Sequence, residues 1–178
     1  MFGVSGVAAI ALLKAGIFRE GVPAIIADQP AIALGVLREE ARAAAAHVLE
    51  SGGDWRARWE GDAFVYEGRK LVVRSPWLGL RGRHQAQNTG AACAALEALG
   101  EPRIAPAAMA AGLREVSWPA RLQKLKPGPL AGDGAVWIDA AHNPGGAATL
   151  AAAIRASRQT GERVAIVFAA QAVKDIEG

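Results

Sequence analysis

Cysteine is nearly absent from this sequence: Cys93 is the only one in 178 residues. A single thiol rules out an internal disulfide framework and a zinc site built on cysteine pairs, and it suits a reducing, cytoplasmic setting. Cys93 lies in the alanine-rich run from Gly90 to Leu99, where it reads as a small buried thiol. Long apolar runs are also lacking. The uncharged stretch from Met1 to Leu13 is interrupted by Lys14, well short of the ~20 residues that span a bilayer, and it has no basic leader. It reads as a core helix, not as a membrane segment or a signal peptide. Charge of one sign is scarce too, with 20 Lys and Arg against 17 Asp and Glu, for a net charge of +3. Arg69, Lys70, Arg74, Arg81 and Arg83 are spread over strands and a loop, without the basic stripe and stacking aromatics that nucleic-acid binding requires. An anionic small ligand accounts better for the arginine. Finally, no Gly-x-x-Gly-Lys-Ser/Thr phosphate loop occurs anywhere in these residues.

What is present is an apolar content of 52%, enough for a real core of one domain and part of a second. Val7 to Ile17 reads as a helix and Val22 to Ala27 as a short buried parallel strand. Pro30 to Glu50 reads as an amphipathic helix ending near Gly52 and Gly53. From Asp54 to Val73 apolar and charged residues alternate, with bends at Glu60-Gly61-Asp62 and Glu67-Gly68, which predicts an antiparallel meander. A helix is expected over Thr89 to Leu99 and another over Ile104 to Gly112. The segment from Ser117 to Pro129 breaks the pattern and separates residues 1–117 from 118–178. Beyond it, Ala135 to Ile138, Gly146 to Arg158 and Arg163 to Ala169 read as strand, helix and strand, a βαβ unit. The fold class is α/β, with a parallel sheet and an antiparallel meander followed by the start of a Rossmann-like domain. One βαβ unit does not cover both faces of a parallel sheet, so the second domain reads as incomplete.

Three polar clusters interrupt the apolar segments. In Gly82-Arg83-His84-Gln85-Ala86-Gln87-Asn88 the amides can cap the following helix or read a purine edge through paired donors and acceptors. In Trp118-Pro119-Ala120-Arg121-Leu122-Gln123 a single arginine can clamp a phosphate or make a surface ion pair. In Asp139-Ala140-Ala141-His142-Asn143-Pro144-Gly145-Gly146 a carboxylate, an imidazole and an amide follow an apolar run. The carboxyl ends of parallel strands are where ligands collect in α/β proteins. Asn143 with Pro144 also suits a helix cap, so a capped turn with a solvated histidine is the alternative.

Taken together, Gly82-x-His84-Gln85-x-x-Asn88, Trp118-Pro119-x-Arg121-Leu122-Gln123 and Asp139-x-x-His142-Asn143-Pro144 resemble the folylpolyglutamate synthase/dihydrofolate synthase family of the Mur-ligase group. Ile10-Ala11-x-x-Lys14-Ala15-Gly16-Ile17 is similar to a helix of that family, and Val167-Phe168 through Lys174-Asp175 resembles its next strand. The resemblance implies an ATP-dependent ligase, part of whose ATPase domain is joined to the start of its glutamate-ligase domain. ATP would activate the carboxylate of a folate or dihydropteroate as an acyl phosphate, and L-glutamate would attack it, with Mg2+ offsetting phosphate charge. By motif position Gln85 and Asn88 would contact adenine, Arg121 the phosphates and Asp139 the ribose. His142 would sit at the acyl phosphate with Asn143 beside it. Lys14 matches a lysine that is carbamylated near the metal, and its place at the end of an apolar helix could desolvate it enough to react with CO2. Three positions depart from the family: Leu13 replaces glutamate, and Ala120 and Ala140 replace glycines. The family's phosphate loop and metal carboxylate lie upstream of Lys14, so these 178 residues alone are expected to be inactive. A Mur-type ligase with another acceptor and a non-catalytic adenine-nucleotide-binding module are the rival readings.

Overall fold

The computed structural model describes residues 6–129, 135–158 and 163–169. Among these residues the chain divides into two compact units. The first takes 1–78 and 85–115; the second takes 79–84 and 116–178. The short segment 79–84 thus belongs with the second unit although both of its neighbours in sequence belong to the first.

The first unit opens with helix α1 (Val7–Ala15), which packs against helix α2 (Ala31–Ala43); α1 buries Ala11 and Ala15, and α2 buries Ala33 and Ala41. Between the helices runs strand β1 (Pro23–Ile26), paired in parallel with β2 (His47–Glu50), Ala24 opposite Val48. The sequence pattern predicts helix as far as Glu50, and here the structure differs. The helix stops at Ala43, and residues 47–50 form a strand. The cause is a left-handed stop: Ala45 has φ +50°, Ala46 N–H donates to the Ala41 carbonyl at 2.9 Å, and Ala45 N–H donates to that of Arg42 at 3.1 Å. This is the hydrogen-bond pattern that usually has glycine at its turning residue.

The meander forms as expected. Strands β3 (Arg56–Glu60), β4 (Ala63–Glu67) and β5 (Val72–Ser75) pair antiparallel in that order, with Trp59 opposite Phe64 and Tyr66 opposite Val73. One face carries ion pairs of Arg58 with Glu60 and Glu67, and of Arg74 with Glu60. The other face supplies the core: Trp55, Phe64, Tyr66 and Val73 lie against Ala86, Cys93 and Ala94 of helix α3 (Gln85–Leu99) and Met109 and Ala110 of helix α4 (Pro106–Glu115). Helix α3 can come this close because residue 90 is glycine. A Cβ there would stand 2.4 Å from that of Ala57 and 2.7 Å from the Trp55 ring. One turn beyond Cys93, Glu97 accepts from the Tyr66 hydroxyl at 2.6 Å, from Leu71 N–H at 3.2 Å and from Lys70 N–H. It ties the β4–β5 bend to the helix. Burial pushes the Cys93 thiol up to about 12, as befits an inert core residue.

The second unit contains β6 (Gln123–Lys124), β7 (Trp137–Ile138) and helix α5 (Pro144–Ser157). The expected βαβ unit is not formed among the described residues. β7 pairs antiparallel with β6, and residues 163–169 belong to no strand. Ile166, Val167 and Phe168 are exposed, and a strand needs a neighbour to take up its backbone hydrogen bonds. Lys174 and Asp175 lie outside the described residues.

Candidate functional site

The second unit gathers four of the expected site residues around one short ribbon. Gln123 faces Ile138 and Lys124 faces Trp137, and the ladder continues with Leu125 N–H donating to the Val136 carbonyl at 2.9 Å. Two polar turns leave the same end of this ribbon, one carrying Arg121 and the other running from Asp139 to Asn143. The Asp139 carboxylate joins them. Its Oδ2 accepts from Leu122 N–H and its Oδ1 from Ala141 N–H, both at 2.8 Å. A further bond runs from Ala140 N–H to the Ala120 carbonyl at 2.9 Å. Each carboxylate oxygen keeps lone pairs for a second donor.

Arg121 itself is exposed and sits between two residues in the left-handed region, Ala120 at φ +56° and Leu122 at +46°. Neither is glycine, so the turn is strained and is held by its hydrogen bonds. The family pattern has glycine at the position of Ala120, and the positive φ gives the reason. Ala140, the other alanine that stands for a glycine, is not in that region.

His142 is exposed and orients its ring by a 2.9 Å contact between Nδ1 and the Ala140 carbonyl. A carbonyl only accepts, so Nδ1 carries a proton in this contact and Nε2 stays outside it. Asn143 caps α5: its Oδ1 accepts from Gly146 N–H at 2.8 Å, with Pro144 in the first helical turn. The capping alternative is therefore realised at Asn143, whose amide nitrogen and second oxygen lone pair remain for a ligand.

Segment 79–84 also reaches this unit. The Arg81 guanidinium lies 5.3 Å from the centre of the Trp137 ring, and the Lys124 ammonium lies 5.8 Å from it. His84 comes within electrostatic reach of Asp139 and Arg121. Partial desolvation of the imidazole, in a residue that stays exposed, lowers its proton affinity below the ordinary histidine value; Asp139 opposes that shift and Arg121 reinforces it. Gly82, at φ +105°, leaves the space this ring occupies, since a Cβ would stand 2.5 Å from its Cε1. His84 and Gln123 appear in the sequence motifs, but motif position alone gives them no part in this cluster. The signal lay in their spacing from Arg121 and Gln85, and it needed the fold to be read.

Gln85, Asn88 and Lys14 belong to the first unit. Helix α3 begins at Gln85, four residues earlier than the pattern predicts, so Asn88 stands inside the first turn and is not its cap. Gln85 is buried, and its Oε1 accepts from Asn88 Nδ2 at 3.2 Å. The two amides thus form one hydrogen-bonded pair at the helix start. Next to them, Gln87 Oε1 is buried with no hydrogen-bond partner among the described residues. Lys14 is exposed in the last turn of α1, so the described residues do not supply the desolvation expected of it. No group of three His, Cys, Asp or Glu side chains suited to a metal occurs among them. No helix among them is long and apolar enough to cross a membrane.

No protein-family model matches the chain. It is 32% identical over 165 residues to the dihydrofolate synthase/folylpolyglutamate synthase of Bacillus subtilis, covering 88% of this chain and 37% of that protein. It is also 32% identical over 170 residues to human mitochondrial folylpolyglutamate synthase, covering 86% of this chain and 28% of that one. Among solved structures, the Mycobacterium tuberculosis folylpolyglutamate synthase complexed with ADP superposes with a TM-score of 0.72 at 31% identity, covering 87% of this chain and 36% of that chain. The folylpolyglutamate synthase of Thermotoga maritima gives 0.72 at 27% identity, over 85% of this chain and 36% of the other. The fold is a segment of the Mur-ligase fold, mixed α/β with parallel and antiparallel sheets. Within that class the chain belongs to the folylpolyglutamate synthase/dihydrofolate synthase family, by homology over most of its own length. It spans a little over a third of the length of the bacterial relative, 37%.

Proposed function

We propose that this chain supplies the adenosine side and the acyl-phosphate side of an ATP-dependent folate–glutamate ligase. In the reaction proposed, a folate or dihydropteroate carboxylate takes the γ-phosphoryl group of ATP. The amine of L-glutamate then displaces phosphate, giving an amide, ADP and phosphate. The observation that carries the reading is the ribbon end of the second unit, where one carboxylate ties the Arg121 turn to the turn bearing His142 and Asn143. A guanidinium at such a place suits a phosphate chain bidentately. Asp139 has oxygen lone pairs left for ribose hydroxyls. His142, with Nε2 outside the contact that holds Nδ1, is suited to take a proton from the incoming glutamate ammonium group, leaving the free amine to attack. The Gln85–Asn88 pair presents the mixed donors and acceptors that an adenine edge needs. A solved relative described as a complex with AMPPCP and folate supports the same ligand classes.

Mg2+ belongs to this proposal only as a companion of the nucleotide. The described residues offer no cluster of metal ligands, so no step is routed through it. Lys14, if carbamylated, would add one carboxylate-like group. A single buried cysteine and the lack of a membrane-length helix among the described residues support a cytoplasmic site of action.

The test is calorimetric titration of the 178-residue chain with ATP, together with an assay for ATP turnover. Weak binding that falls in both Asn88→Ala and Arg121→Ala supports the proposal. Turnover is expected to be nil even with folate, glutamate and magnesium, because no phosphate loop is encoded in these residues. Binding untouched by either substitution would refute the assignment, and turnover by the chain alone would refute its incompleteness as a catalyst.

A further inference from the structure

We infer that Gln123 is a positioning residue for Arg121, acting together with the Asp139 carboxylate. Three observations carry this. The Gln123 Oε1 accepts from Ala120 N–H at 3.0 Å, three residues back in the chain. The Asp139 carboxylate takes Leu122 N–H at 2.8 Å on the other side. The two residues so held, 120 and 122, both have backbones in the left-handed region.

The physical argument follows from the cost of that conformation. At positive φ the Cβ of an alanine or a leucine crowds the following carbonyl oxygen, which penalises it against its relaxed backbone. Two such residues flanking one arginine do not persist unless neighbouring groups over-determine them. Here the neighbours are identifiable. Gln123 is fixed at its own backbone by pairing with Ile138, so its side chain works from a rigid base. The same pairing brings in the turn that starts at Asp139, whose carboxylate is further fixed by Ala141 N–H. Removing either acceptor frees a donor of the strained turn and lets the backbone relax toward negative φ. The Arg121 Cα–Cβ direction then changes, and a guanidinium meant for a phosphate leaves its station. Asp139 in this view has two duties, of which the backbone one is filled before any ligand arrives.

The inference rests on the nucleotide reading for its consequence, though not for its geometry, and the test separates the two. Isotope-labelled wild-type chain, Gln123→Ala, Gln123→Glu, Arg121→Ala and the Gln123→Ala/Arg121→Ala pair are compared by NMR. The positive-φ signature of residues 120 and 122 is read in the free protein, and ATP affinity is read by titration. Gln123→Ala is expected to erase the signature at Ala120 and to weaken ATP roughly three- to tenfold. Gln123→Glu keeps the acceptor and should restore both. Arg121→Ala should then add little in the Gln123→Ala background, because the two act on one contact. An unchanged signature in Gln123→Ala overturns the inference, and so does a loss of affinity fully additive with that of Arg121→Ala. If wild type binds no ATP, or Arg121→Ala binds as wild type does, the nucleotide reading falls, and the signature in Gln123→Ala still decides whether the side chain holds the turn.

Discussion

Alanine occupies two left-handed positions, 45 and 120, where a glycine would carry no Cβ penalty. Ala45→Gly and Ala120→Gly are each expected to stabilise the chain by about 1 kcal/mol, measured as a rise in the urea midpoint with unchanged slope. The gain at position 45 should leave every ligand property alone. At the same scale, Cys93 is fully buried and its thiol is pushed up to about 12. It should be silent to thiol reagents in the folded protein and react only at the rate of global opening, which a time course with and without urea measures. These two alanines also mark where single residues hide the fold. A cap is legible when it is Asn143 followed by proline, because the side chain that makes the bond is of a recognisable type. A left-handed alanine carries no such sign.

At the scale of elements, helix α3 and the meander depend on each other. Gly90→Ala drives a methyl into Ala57 and the Trp55 ring, and is expected to cost about 1–3 kcal/mol, read from denaturant unfolding. Asp54 ties β2 to the start of the meander. Its carboxylate is held below its ordinary value first by Glu50 N–H and then by Arg69, with desolvation opposing. A carboxylate depressed in the folded state contributes stability that is fully present above its unfolded value, about 4. That contribution fades as pH falls through the folded value. The difference in Tm between wild type and Asp54→Ala should therefore be constant from about pH 6 to 7 and narrow below about pH 4. The meander was legible because alternation has a period of two and its bends carry glycine. Strand β2 was not, since His47-Val48-Leu49-Glu50 follows a helical pattern without any glycine or proline between them. In the second unit the apolar runs alone predict βαβ. Such runs do not encode their partners, and β7 has paired antiparallel with a two-residue strand that no pattern announces.

At the scale of the molecule, the two units differ in how they are held. The first has a continuous aromatic and alanine core, whereas α5 has no buried residue. Unfolding should therefore be non-coincident when probed separately. Fluorescence from a chain retaining only Trp137 should change at lower urea than from a chain retaining only Trp55, and amides of α5 should exchange before those of α3. The residues singled out from the sequence are distributed along the same line. The Arg121, Asp139, His142 and Asn143 motifs lie in the second unit, with Gln85 and Asn88 in the first. The motifs were legible as residue types at fixed spacing. What the spacing left unread is the hydrogen-bonded turn that supports them, since Gln123 resembles any surface amide until its partner is known.

The excursion of residues 79–84 has a consequence for how such a protein can be recombined. The polypeptide passes from one unit to the other at 78/79, returns at 84/85, and leaves again at 115/116. A single crossover after Glu115 would transplant the second unit without the piece that carries Arg81, and Trp137 would then face a stranger's side chain. Exchange between relatives must keep both stretches from one parent, so the two units are inherited as a stitched pair and not as beads on a string.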